Sequence, residues 1–213
     1  MATSLSLEND SSLAQGYLKV NGTTAATITT SGITGNLVGN VTGNVTGNVT
    51  GSLTQGGSIT LATAQTASGT AVDFTGIPSW AKRITVMFNG ISTNGTSNPV
   101  IQVGTSSGVI TSGYAGAGSE VGSTTAVNAY TLGFAIRSGI STNTVHGAIS
   151  LFCLNVSSNI WVASGVTSQP SVPFTHQIAG TISLSGTLDR VRITTVNGTD
   201  QFDAGTINIS YEG

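Results

Sequence analysis

Charge is what this sequence has least of: 6 Lys and Arg and 8 Asp and Glu in 213 residues, or 7%, where a soluble globular domain carries about 25%. Solubility must rest on neutral polar side chains. The formal net charge of -2 offers no electrostatic footprint for nucleic-acid phosphates or an anionic membrane, so neither is an expected partner. No apolar run approaches the ~20 residues of a membrane span. The opening Met1-Ala2-Thr3-Ser4-Leu5 has neither the basic stretch nor the apolar core of a secretory signal. Synthesis in the cytoplasm is expected, with any exit by another route. Cysteine is scarcer still: Cys153 is alone, which excludes an intrachain disulfide. Its place in the apolar run Ile149 to Leu154 predicts a buried small side chain rather than a reactive thiol. Durability has to come without covalent staples.

What is present is a tetrapeptide repeated without a break: Gly39-Asn40-Val41-Thr42, Gly43-Asn44-Val45-Thr46, Gly47-Asn48-Val49-Thr50, then the looser Gly51-Ser52-Leu53-Thr54. Four is twice the period of a strand, so in extended conformation Val41, Val45, Val49 and Leu53 project from one edge, with Asn and Thr on the other. Each buried valine stabilises by roughly 1.5–3 kcal/mol, against roughly 1–2 kcal/mol of backbone entropy for each of four residues ordered. A lone ribbon of this composition does not stay folded, and sister chains must supply the missing contacts; three chains about one axis is the simplest arrangement. A flexible Gly/Thr-rich linker is the alternative, and the regular valine spacing speaks against it.

Three regions follow along the chain. Residues 1–34 hold Gly16-Tyr17-Leu18-Lys19-Val20-Asn21-Gly22-Thr23-Thr24, a short strand meeting an Asn-Gly turn signal, and are expected to form an attachment segment. Residues 35–60 are the repeat shaft. Residues 61–213 carry most aromatics and charges and read as all-β. Ile84, Val86 and Phe88 alternate with polar or less apolar neighbours, as do Leu132, Phe134 and Ile136, and Ile149, Leu151 and Cys153. Turn signals punctuate them at Asn89-Gly90, Asn94-Gly95, Ser164-Gly165, Ser185-Gly186 and Asn197-Gly198. About eight short strands over this length predict a β-sandwich head, jelly-roll-like in topology, large enough to bury its own core.

Catalysis has little support. His146 and His176 sit in strand-like runs without a triad motif, and glycoside hydrolysis needs two facing carboxylates from among Asp73, Glu120, Asp189, Asp200, Asp203 and Glu212. Asn197, Asp200 and Asp203 do not have the spacing of an EF-hand loop, so no metal and no cofactor are expected. Sugar binding is better represented, because a tyrosine or tryptophan platform amid neutral donors and acceptors suits a saccharide. Tyr114, Trp161 and His176 are the candidate receptor-binding residues. Tyr114 falls in the small-residue stretch Gly108 to Ser123, which reads as a long loop. Trp80, beside a strand start, reads as packing.

The segment Asp73-Phe74-Thr75-Gly76-Ile77-Pro78-Ser79-Trp80 through Asn89-Gly90, and the ending Leu188-Asp189-Arg190-Val191-Arg192 through Ile209, resemble the C-terminal domain of tailed-bacteriophage fibre and tail proteins. The Leu18-Lys19-Val20-Asn21-Gly22-Thr23 phrase and the repeat are similar to the proximal parts of such fibres. The resemblance implies a homotrimer in the tail of a virion, bound through its N-terminus to other tail proteins and presenting its head to host surface polysaccharide or protein. Such fibres are generally not enzymes. Two alternatives remain: a decoration or tail-connector fibre that never touches the host, and a polysaccharide-degrading tail spike. For the last, the long parallel β-helix body of such spikes is missing.

Overall fold

A computed structural model describes residues 5–10, 15–20, 23–29, 32–34, 59–123, 125–136 and 141–213. The described residues are all-β, in antiparallel sheets and without a helix. The chain divides into two compact units, Met1–Thr50 and Gly51–Gly213. Residues 35–58, almost the whole of the expected shaft, lie outside the described residues.

The first unit holds β1 (Leu5–Asp10), β2 (Gln15–Val20), β3 (Thr23–Thr29) and β4 (Gly32–Thr34), hydrogen-bonded in chain order. Val20 pairs with Thr23; the expected Asn21-Gly22 turn itself lies outside the described residues.

The second unit contains β5 (Thr60–Leu61), β6 (Gln65–Thr66), β7 (Ala71–Thr75), β8 (Arg83–Thr93), β9 (Pro99–Thr105), β10 (Gly108–Val109) and β11 (Ala115–Val121). Then come β12 (Thr125–Tyr130), β13 (Phe134–Ala135), β14 (Val145–Asn155), β15 (Ile160–Gln169), β16 (Phe174–Ser183), β17 (Arg190–Thr195) and β18 (Phe202–Glu212). A large sheet runs in the order β12, β11, β16, β15, β14, β8, β18, β5, with β6 also on β18. A small sheet runs β10, β9, β17, β7, with β13 also on β9.

Alternation builds the core. Ile84, Val86 and Phe88 of β8, Ile149 and Leu151 of β14, and Ile207 and Ile209 of β18 meet Val72 and Phe74 of β7, Ile101 and Val103 of β9, and Val191 and Ile193 of β17 in one buried cluster shared by both sheets. Each is worth roughly 1.5–3 kcal/mol in burial. Cys153 is half-buried against this cluster, and so is Trp80, whose ring tilts onto Tyr211 at 5.6 Å.

Several turn and loop expectations are corrected. Asn94-Gly95, Ser185-Gly186 and Asn197-Gly198 do lie between strands, but Asn89-Gly90 lies inside β8 and Ser164-Gly165 inside β15. Gly90 has φ 67° and Gly205 φ 92°. A Cβ on Gly205 would stand 2.4 Å from the Gly90 carbonyl oxygen, and the registers of β8 with β14 and with β18 slip beside these residues. The pair is therefore a bulge. At Gly165 a Cβ would be 2.4 Å from the Ala148 carbonyl oxygen, so glycine is required there by close strand approach. The expected loop Gly108 to Ser123 instead includes β10 and β11. Gly118 lies against the His176 ring, with a Cβ there 2.5 Å from Nε2; small size serves packing, not bending. Among the described residues of the second unit, ten strands of five residues or more, and four of two, exceed the eight expected.

Candidate binding groove

The three aromatic candidates are all interior, which corrects their reading as a surface platform. Tyr114, Trp161 and His176 are 3%, 4% and 1% exposed, and Trp161 and His176 lie in strands, not loops. The Tyr114 hydroxyl accepts a hydrogen bond from the Val103 N–H at 2.8 Å and donates to the Ile110 carbonyl at 2.9 Å. Its ring meets Phe134 edge-on at 5.1 Å. Burial pushes its pKa up to about 12, with the Val103 hydrogen bond pulling the other way. Tyr114 thus pins the approach to β11 onto β9. Trp161 belongs to the shared core, and His176 meets the Tyr130 ring at 6.2 Å.

A different set of residues forms a concave surface on the outer face of the small sheet. Because Ile101, Val103, Val191 and Ile193 point into the core, their neighbours Gln102, Arg192 and Thr194 point outward. Register places Arg192 between Asp73 on β7 and Gln102 on β9. Arg192 holds Asp73 with both arms of its guanidinium, Nε to Oδ1 at 2.7 Å and Nη2 to Oδ2 at 2.8 Å. That hydrogen bonding raises the arginine pKa further, with burial opposing it and the charge of Asp73 adding to it. Gln102 Nε2 donates to the Leu132 carbonyl at 2.8 Å, and Thr194 Oγ1 to the Thr70 carbonyl at 2.7 Å.

These side chains floor a groove of about 430 Å³, walled by Thr70, Thr111, Leu132, Val196 and Asn197. Leu132 and Val196 also line an adjoining pocket of about 120 Å³, with Val100, Tyr130 and Ala135. The lining of the main groove holds one cation and no carboxylate, so the facing acids of a glycosidase are not assembled there.

The β17–β18 turn that walls the groove is tied to the β8–β9 turn. Asp200 accepts from Asn197 Nδ2 at 2.7 Å and from the Ser97 N–H at 2.8 Å. The Asn197 bond first, then the Ser97 bond, lower the Asp200 pKa. Asn197 Oδ1 accepts from the Thr199 and Asp200 N–H groups at 3.0 and 3.1 Å, an Asx-type turn. Gly95 is bare because Asp200 fills the space where a Cβ would stand, 2.0 Å from Oδ2. Asp203 instead bonds Ser92 Oγ, so it and Asp200 serve separate partners. Among the described residues no group of three or more His, Cys, Asp or Glu is placed to hold a metal.

Sequence alternation carried a signal for this groove, since Arg192 and Thr194 interrupt the apolar run of β17 at every second position. Nothing local showed that the stretch before β13 and the turn after β17 would rise beside them. Comparison with protein-family models, curated proteins and solved structures found no match to this chain.

Proposed function

We propose that this chain is a trimeric, stalked adhesin of the tail-fibre type. In this reading residues 1–34 attach to other tail proteins of a virion, and residues 35–60 wind with two sister copies into a shaft. The jelly-roll-like head offers its groove to host surface polysaccharide or protein. The observation that carries the reading is the groove itself: neutral polar side chains beside an arginine already matched by its own carboxylate, next to a small apolar pocket. Such a surface fits a sugar ring bearing an acetamido or methyl substituent, since the ring hydroxyls find polar partners and the substituent a dry pocket. Millimolar contacts of this kind suffice when linked copies raise overall avidity by roughly 10²–10⁴. Low charge makes them insensitive to salt.

The test uses the full-length chain on an array of bacterial surface polysaccharides, together with Thr111→Trp. Thr111 is exposed on the groove wall, so the substitution plugs the groove while changing stability by no more than about 0.5 kcal/mol. Binding that Thr111→Trp abolishes supports the reading. Binding unchanged by Thr111→Trp removes the groove from it. No binding, with infectivity intact after deletion of the head, supports a decorating or connecting fibre. Release of reducing ends from a bound polysaccharide supports a tail spike.

A further inference from the structure

The chain carries four Asn-Gly pairs: Asn21-Gly22, Asn89-Gly90, Asn94-Gly95 and Asn197-Gly198. Such a pair is chemically reactive, because a glycine with no Cβ lets its backbone nitrogen swing onto the amide carbon of the preceding asparagine. The first pair lies outside the described residues, and the other three stand in unlike surroundings. Asn89 is inside β8, opposite Thr206 of β18, where pairing restrains the backbone. Asn197 is exposed, yet both groups that must move are held. The Gly198 N–H donates to the Thr195 carbonyl at 3.0 Å, and Asn197 Nδ2 donates to Asp200 at 2.7 Å. Asn94 is exposed in the bend at 94–97. Its Oδ1 accepts from the Gln201 N–H at 2.9 Å, while among the described residues neither its Nδ2 nor the Gly95 N–H has a hydrogen-bond partner. Glycine is obligatory at 95, because Asp200 fills the space of a Cβ there.

We propose that Asn94 is a site of spontaneous deamidation, and that the reaction loosens the turn that walls the groove. The Gly95 nitrogen gives its proton to solvent base and bonds to Asn94 Cγ; the Cγ–Nδ2 bond breaks and ammonia departs, leaving a cyclic imide. Water then adds to either imide carbonyl and opens the ring, giving aspartate or, with the main chain rerouted through the side chain, isoaspartate. The net change is amide plus water to acid plus ammonia. As Gly95 attacks, negative charge gathers on Oδ1, where the Gln201 N–H already points. At Asn197 the same path gives up the Gly198 bond and the bond to the Asp200 carboxylate, which slows it by roughly tenfold or more. The product matters because of how the bend is fastened to the β17–β18 turn: Gln201 N–H to Asn94 Oδ1, Ser97 N–H to Asp200 Oδ2, and Asn197 N–H to Ser97 Oγ at 3.0 Å. A carboxylate at 94 stands one residue from the seat of Asp200 against Gly95, and like charges repel. An isoaspartyl link lengthens the main chain at the same place. Both pull against these ties, and Asn197 lines the groove. A consequence for polysaccharide binding rests on the function proposed above; the reaction and the loosening do not.

The experiment holds the full chain in warm, mildly alkaline buffer, native and in concentrated urea, and samples it over time. Peptide mass spectrometry follows amide loss at Asn89, Asn94 and Asn197, and hydrogen exchange follows the Ser97 and Asn197 N–H groups. The expected result is native deamidation at Asn94 roughly tenfold or more faster than at Asn89 and Asn197, with the three rates converging in urea. Exchange at Ser97 and Asn197 should quicken in step with the product. It should stay constant in Asn94→Gln, whose longer side chain closes a ring far more slowly, and the wild-type time course decides both points even without that variant. Native rates at Asn94 no higher than at Asn197 would overturn the site. Deamidation at Asn94 without faster exchange would overturn the loosening. Neither readout uses polysaccharide, so failure of the adhesin reading leaves both results standing.

Discussion

The two outer faces of the head are made by the same rule and look nothing alike. On both, every second residue of a strand points away from the core. On the small sheet the outward residues are Gln102, Arg192 and Thr194, beside which the stretch around Leu132 and the turn at Val196–Asn197 stand as walls. On the large sheet they are mostly alanine, serine, threonine and valine, with larger side chains such as Phe152, Gln177 and the Arg83–Glu212 pair interspersed, and with no wall beyond the shallow relief near Val127. A pleated sheet supplies only a lattice of positions. Whether that lattice becomes a groove or a plain depends on what the connections do at its margins.

Substitutions sharpen the contrast, and the largest effect falls on the large sheet. Gly165→Val puts side-chain atoms into the Ala148 carbonyl and the Ile149 backbone, 2.4 and 2.7 Å from the new Cβ. Strands β14 and β15 must part, and urea unfolding should show a loss of roughly 3 kcal/mol or more. Survival of this variant at full stability would mean that the sheet is looser than its register implies.

Tyr114→Phe comes next. It strands the Val103 N–H and the Ile110 carbonyl beneath the small-sheet side, with an expected cost of about 1–3 kcal/mol. The alkaline limb of stability tests the same residue. The unfolded phenol ionises near pH 10 while the folded one holds its proton to about 12, so the unfolded state binds fewer protons between those values and stability falls as pH rises. The contribution is complete below pH 10 and lost through about 12. Tyr114→Phe should lack that component of the slope when the two proteins are unfolded side by side at each pH.

Gly198→Ala probes the turn that walls the groove by another route. Here a Cβ meets nothing within 4 Å, but φ is 69°, so the cost is backbone strain of about 1 kcal/mol, visible as a lowered Tm. Smallest of all is Asp73→Asn. Both partners of the pair are more than a third exposed, so stability should drop by no more than about 1 kcal/mol. Polysaccharide binding should become more dependent on salt, because Arg192 is then released to attract anions.

The sequence made some of this visible and hid the rest for definite reasons. Alternation located β8 and β14, because one buried face leaves a period of two. Asn94-Gly95 and Asn197-Gly198 announced turns; the Asn197 side chain satisfies local backbone N–H groups, whereas Asn94 Oδ1 accepts from the Gln201 N–H of the facing turn. Asn89-Gly90 and Ser164-Gly165 look the same in one dimension, yet Gly90 supplies the positive φ of a bulge inside β8 and Gly165 makes room for a neighbouring strand that is distant in sequence. The aromatic candidates misled for a related reason. Tyr114 finds its polar partners inside the protein, so a hydroxyl that suggested a wet surface marks a dry joint. The groove residues were written plainly in β17, but a binding surface is the sum of a floor and its walls, and only the fold brings the walls near.

The contact of Gly90 with Gly205 has a consequence for how such a head can vary. Two bare backbones in touch fix the phase of β8 and β18, and sliding either by one residue would turn its interior outward. With phase set by atoms that no solvent-facing substitution alters, the exterior is free to drift from one descendant to another. A lineage can repaint what it shows the world while the pleat beneath keeps step.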